Sequence, residues 1–315
     1  IEITRQPAAG AAVLADFESR AVPKDKSADS TGYPMRSTLQ GRGLSPAVFL
    51  LVVPWWLQGT AGAADNWPQF RGPAASGVSA ISALPDTWSA VDGVAWKTEI
   101  PGRGWSSPII WGENIFVTTA IKEGGDLEPV KKGLYFGGNR PAPKESHRWK
   151  VYCLDLDTGR LVWEREVHRG VPEHGHHLKN TLASETPVCD DERVYAYFGN
   201  VGLFCFDFDG NQLWSKRWKS MPTRFGWGTA ASPVLHGERI YLVNDNEQES
   251  FLVALDKETG RQIWRVERDE KSNWATPFIW KNDQRTEIVT SDFGCIRSYD
   301  LEGNVLWELQ GPTSN

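Results

Sequence analysis

The chain has little methionine, no excess of positive charge and no apolar run long enough to cross a membrane as a helix. Two Met among 315 residues, against 16 Trp and 30 Gly, point to many short strands joined by tight turns. A formal net charge of −6 with a pI near 5.6 gives no basic footprint, which sets nucleic acid aside as a partner. Four Cys are present, none adjacent to another and none in a Cys-x-x-Cys-His haem motif. Neither a Gly-x-Ser-x-Gly elbow nor a zinc-protease helix motif occurs, so a hydrolase has no support.

The longest apolar stretch, residues 44–57, is interrupted by Pro46 and Pro54 and is too short to span ~30 Å of hydrocarbon. With Met35, Arg36 and Arg42 before it and Ala61-Gly62-Ala63 after it, it reads as an export signal over 35–64, cleaved after Ala63 or Ala64. No Cys follows it, so it is not of the lipoprotein type. The expected destination is periplasmic or secreted, with no transmembrane anchor after cleavage. Residues 1–34 are polar and unpatterned and are set outside the fold, 65–89 form a lead-in, and 90–315 form the folded body.

That body repeats. Ala231 to Leu235, Glu238 to Val243, Phe251 to Asp256 and Arg261 to Trp264 make four short strand patterns, A to D, separated by turn signals. Three further copies begin at Ser107-Pro108, Thr186-Pro187 and Thr276-Pro277, and a lone D pattern, Val94 to Lys97, precedes them. Trp96, Trp163, Trp214, Trp264 and Trp307 recur at spacings of 67, 51, 50 and 43 residues. Four-stranded units of about 40–50 residues predict an all-β propeller of antiparallel blades. Four blades plus one strand are present, which leads us to expect an incomplete ring. Cys153 and Cys205 fall at one repeat position, filled elsewhere by Ala254 and Ser298, and Cys189 aligns with Ile110, Leu235 and Ile279. Equivalent strands of neighbouring blades stand too far apart for a disulfide, so these thiols are expected free and buried.

Asp-x-x-Thr-Gly-x-x-x-Trp fits Asp155 to Trp163 and Asp256 to Trp264. This resembles the tryptophan-docking motif of the PQQ-like β-propeller repeat family, which includes quinoprotein alcohol dehydrogenases and the non-catalytic propeller subunit of the outer-membrane barrel-assembly machinery. The resemblance implies that Trp163, Trp214, Trp264 and Trp307 are structural and pack between blades. A quinoprotein dehydrogenase implies two adjacent Cys and a calcium-binding Glu–Asn–Asp set. The chain lacks adjacent Cys, so PQQ with calcium is expected only if its ligands lie in further blades of a longer protein.

The connections from B to C and from D to A emerge on one face and are long and chemically varied; those on the other face are short. Long loops on a rigid scaffold are where binding resides. They place Arg103, Trp105, His176, His177, Arg224, Trp227, Asn273 and Trp274 as candidate binding residues, with the three Trp ringing the channel mouth or wedging blades apart. No catalytic or metal-binding set stands out. The expected function is an exported, non-catalytic propeller that binds a protein or carbohydrate partner through this face. Two alternatives are a PQQ-dependent dehydrogenase and an outer-membrane protein assembly factor. The last blade is expected to expose Ile288, Ile296, Tyr299, Val305 and Trp307.

Overall fold

The computed structural model describes residues 2–5, 12–14, 66–81, 87–89, 91–124, 133, 136–292 and 294–311. All lie in one of the chain's two units, residues 1–14 with 63–315. The expected signal at 35–64 falls outside the described residues. Among those described, no helix is long and apolar enough to cross a membrane.

Three strands come first: β1 (Glu2–Arg5), β2 (Ala12–Leu14) and β3 (Val94–Lys97). Four antiparallel sheets follow in chain order. Blade 1 is β4 (Ile109–Trp111), β5 (Asn114–Lys122), β6 (His147–Asp155) and β7 (Leu161–Gly170). Blade 2 is β8 (Val188–Cys189), β9 (Arg193–Phe198), β10 (Gly202–Asp207) and β11 (Gln212–Lys216). Blade 3 is β12 (Val234–His236), β13 (Arg239–Asn244), β14 (Phe251–Asp256) and β15 (Gln262–Glu267). Blade 4 is β16 (Phe278–Lys281), β17 (Thr286–Ser291), β18 (Cys295–Tyr299) and β19 (Val305–Gln310). The first strands, β4, β8, β12 and β16, approach one another from blade to blade, so they are innermost. The second and third strands of each of blades 1 to 3 are almost wholly buried, and their faces build the cores between sheets.

Each of the three boundaries between blades is tied twice, and β3 is tied to blade 1 by the second device alone. At the inner end, the Ser107 amide donates to Thr186 Oγ1 (3.0 Å), the Thr186 amide to Ser232 Oγ (2.9 Å) and the Ser232 amide to Thr276 Oγ1 (3.0 Å). These are the Ser or Thr residues that precede each first-strand Pro. At the outer end, a Trp indole reaches into the next sheet. Trp96, Trp163, Trp214 and Trp264 donate to the carbonyls of Leu156, Phe208, Lys257 and Leu301 at 3.0, 2.7, 3.0 and 2.9 Å. The receiving turn carries Gly159, Gly210, Gly260 or Gly303, all at positive φ. A Cβ on the first three would stand 2.2, 2.6 and 2.4 Å from the indole, and on the fourth 3.1 Å. Glycine is therefore required twice over, by backbone conformation and by the ring lying on it.

Two further repeat features aim the indole. Opposite Trp163, Trp214, Trp264 and Trp307 stand Cys153, Cys205, Ala254 and Ser298, small residues that leave room for the ring. The register then slips beside each pair, a bulge that turns the Trp toward its neighbour. The Asp heading each turn holds the loop: Asp155 and Asp256 accept from the Thr158 and Thr259 amides at 2.8 and 2.9 Å. Hydrogen bonds from those threonines' side chains pull both carboxyls below their ordinary range.

Three findings depart from the sequence reading. Residues 1–34 were expected to stand outside the fold, yet β1 pairs with β3, setting Ile3 opposite Trp96 with the same bulge, and β2 pairs with β1. Signal cleavage after Ala63 or Ala64 would remove both strands and leave β3 held to blade 1 by Trp96. Trp307 does not dock on another blade: its indole donates to Glu287 Oε2 in its own sheet (2.7 Å) and meets Trp280 edge-on. In blade 4, Ile288 and Tyr299 are buried against blade 3, because odd and even positions of a strand face opposite ways. Its exposed apolar groups are Phe278, Trp280, Val305 and Leu309.

Candidate functional site

The loops between β5 and β6, after β7, after β11 and after β15 meet on one face. The blade 1 insertion crosses toward blade 2 and is stitched there by its main chain. The Arg140 amide donates to the Phe225 carbonyl (2.8 Å), and the Trp227 indole to the Gly138 carbonyl (2.9 Å). Gly175 and Gly226 permit this approach, since a Cβ on either would lie 2.3 or 2.2 Å from the Arg140 oxygen.

Trp227 is the hub. Around it stand the rings of His177 (4.8 Å), Phe225 (5.1 Å), Phe136 (5.3 Å) and Trp274 (5.8 Å). Its carbonyl accepts from the His177 amide and from Asn180 Nδ2, both at 2.9 Å. The Trp274 indole donates to Gly228 (2.6 Å), which carries the cluster to blade 4's edge. Phe225 holds φ at 55°, a left-handed conformation that costs a non-glycine residue about 1–3 kcal/mol. Arg140 fixes it through its carbonyl. Phe136 is 62% exposed, and the Arg224 guanidinium lies 5.0 Å over Phe225. The result is an aromatic projection with a cation at its side, on a rigid base.

Of the sequence-predicted residues, Trp227, Trp274, His177 and Arg224 come together here. Asn273 turns away to the Ser291 carbonyl. Trp105 stands apart, half-exposed, with its amide on the Ala183 carbonyl (2.9 Å) and no ring contact to the cluster. The three Trp therefore do not form one ring. Arg103 and His176 line a separate cleft of about 360 Å³ beside blade 1. Phe136 and Arg140 complete the surface, and their only sequence signal is an aromatic and an arginine inside a long insertion.

Two buried charged groups lie under these loops. Arg268 bonds Asp245 through both guanidinium arms (2.9 and 3.1 Å) and also reaches Asp292, Tyr299 Oη (2.6 Å) and Thr290 Oγ1 (3.1 Å). Asp245 is thus paired from within, while the Glu247 carboxylate accepts from the Ser272 amide and hydroxyl. Glu185 accepts from the Gly199 amide (3.1 Å) and Thr229 Oγ1, and burial pushes its carboxyl above the usual range.

The adjacent Cys pair that would cover a quinone is absent. All four Cys are free, buried and separate, and no three of His, Cys, Asp and Glu are placed to hold a metal ion among the described residues.

Tied four-stranded sheets, innermost first strands and Trp-on-Gly docking define a β-propeller of PQQ-like repeats. The family model described as outer membrane protein assembly factor BamB (PQQ_2) matches residues 130–217 and 205–315, and the chain belongs to that family. The BamB proteins of Moranella endobia (strain PCIT) and Yersinia pestis are each 24% identical, over 64% and 61% of this chain. Those matches cover 52% and 51% of the relatives, so the chain spans about half the length of the curated proteins it matches. Among solved structures, BamB from Moraxella catarrhalis aligns with a TM-score of 0.40 at 17% identity, over 71% of this chain and 69% of that one. The quinohemoprotein alcohol dehydrogenase of Comamonas testosteroni aligns at 0.48 and 12%, over 80% and 42%.

Proposed function

We propose that this chain is a non-catalytic, periplasmic propeller that binds protein partners during assembly of outer-membrane proteins, with the Phe136–Phe225–Trp227 face as its contact surface. One observation carries the reading: the family match over 130–315 spans the segment whose loops build that face. The surface has the make-up of a protein contact, aromatic anchors with an Arg beside them on a base that costs little to order. A carbohydrate partner gains no support from the relatives, and a quinoprotein dehydrogenase reading lacks its adjacent Cys pair.

The test is deletion of the gene in its host, complemented by the wild-type chain or by Phe136→Ala/Arg224→Ala. Deletion should lower the yield of folded outer-membrane β-barrels, and the double variant should restore it poorly while accumulating at wild-type level. Truncating an interfacial anchor of this kind to Ala costs about 2–4 kcal/mol of binding. Unchanged barrel yield on deletion would remove the assembly role.

A further inference from the structure

The blade 1 insertion is pinned to the hub at a histidine whose two ring nitrogens play opposite roles. His177 Nδ1 accepts from the Lys179 amide (3.0 Å). An amide N–H only donates, so Nδ1 keeps its lone pair and the proton sits on Nε2. Nε2 lies against Gly137, where a Cβ would overlap it, and the adjoining Phe136 carbonyl accepts its hydrogen. The same ring meets Trp227 edge-on at 4.8 Å, and the His177 amide donates to the Trp227 carbonyl (2.9 Å). One neutral imidazole therefore joins three parts of the projection: the loop after β7, the arm that carries Phe136 and the Trp227 hub.

Two neighbouring histidines are bonded the other way. His147 Nδ1 lies 2.9 Å from the Glu145 carbonyl and His176 Nδ1 lies 3.1 Å from the His177 carbonyl. A carbonyl only accepts, so each of these Nδ1 atoms already carries its proton, and the bond survives when the ring takes up a second one. At His177 the second proton must go on Nδ1, where it would face the Lys179 N–H, donor against donor. The surroundings oppose that proton as well. Burial lowers the ring below the ordinary imidazole range; the Phe136 carbonyl raises it in part, and Arg140, His176 and Lys179 lower it further. From the loop after β11 the nearby charge is again a cation, Arg224 over Phe225.

We propose that His177 is a pH-sensitive latch: a proton on Nδ1 releases the arm carrying Phe136 and takes the aromatic projection apart, so the contact surface stands assembled at neutral pH and is withdrawn in mild acid. The latch deepens the protein-binding reading above and rests on it for its purpose. Because the ring binds a proton less readily with the arm closed than open, closure is fully favoured above the free imidazole value of about 6.5 and weakens as pH falls below it, toward the closed-arm value.

The experiment is hydrogen exchange followed by NMR on the whole chain, from about pH 8 down to about pH 5.5. Its reporters are the Trp227 indole N–H, bonded to the Gly138 carbonyl (2.9 Å), and the Arg140 amide, bonded to the Phe225 carbonyl (2.8 Å). Corrected for the intrinsic rate, protection of both should fall about ten-fold over that range. His177→Gln should abolish the fall, and His176→Gln should leave it in place. The titration of the wild-type ring is a second readout that survives if His177→Gln loosens the arm: His177 should carry its proton on Nε2 at neutral pH and titrate below about 6.5. Protection that does not change with pH in the wild type would overturn the proposal. So would a fall that persists in His177→Gln, or a ring protonated on Nδ1 at neutral pH. No partner is needed, so failure of the assembly role and failure of the latch register separately.

Discussion

The two faces of this propeller are built on opposite principles. On the short-turn face every boundary repeats one device, an indole laid on a glycine and bonded to a carbonyl beside it. On the long-loop face nearly every junction is different: an aromatic hub over blades 1 to 3, a buried glutamate between blades 2 and 3, and an arginine clamp between blades 3 and 4. Repetition holds the sheets in register, and that leaves the other face free to diverge.

Four substitutions sharpen that contrast. The largest effect is expected at the clamp, where Arg268→Ala leaves Asp245 buried without its cation and Asp292 with Arg297 at 3.6 Å. Breaking such a pair costs about 3–5 kcal/mol. Urea unfolding of the variant should lose that much stability, and a loss under about 1 kcal/mol would mean that water reaches the carboxylates. On the repeating face, Gly260→Ala adds a Cβ 2.4 Å from Trp214 at a φ of +67°, and should cost about 2 kcal/mol or more. Gly303→Ala, where the same atom would stand 3.1 Å from Trp264, should cost less. Equal losses at the two sites, where φ is +67° and +90°, would show that the indole contact does not set the difference. The smallest effect has the opposite sign. Because the folded Glu185 carboxyl is raised above its unfolded value, folding takes up a proton between those two values, and stability falls as pH rises through that window. Glu185→Gln keeps an acceptor and removes the charge, so it should raise the unfolding temperature at pH 7. That gain should vanish below about pH 4, where both states are protonated. A gain that persists in acid would point to packing instead of ionisation.

The repeating face was legible in the sequence because each of its requirements selects a residue type. An indole needs a glycine beneath it, a turn needs Asp and Thr, and the partner position needs something small. Cys153, Cys205, Ala254 and Ser298 share a repeat position for that last reason. The position of Trp307 obeys the same pattern, yet its indole turns inward to Glu287. Burial raises that carboxyl, but hydrogen bonds from Ser298, Trp307, Asn282 and Arg285 outweigh it and bring it down to about 2. No local signal announces such a trap. The candidate site was legible only as a region. His177 and Trp274 reach Trp227 directly from the loops after β7 and β15, and the insertion joins them through a long-range pairing of Arg140 with Phe225; no periodicity encodes either contact. Trp105 also precedes a first-strand Pro, yet among the described residues its ring makes no contact with the hub.

The Trp ties also explain why so long an insertion is tolerated. Trp96 and Leu156 are 60 residues apart in the chain, and Trp264 and Leu301 only 37, yet the bond is the same in both. The tie joins a last strand to the next turn and is indifferent to the length of chain looped out at the opposite end. Each blade thus has a mechanically insulated port. Sequence inserted between its second and third strands changes what the molecule presents without loading the joints that hold it together.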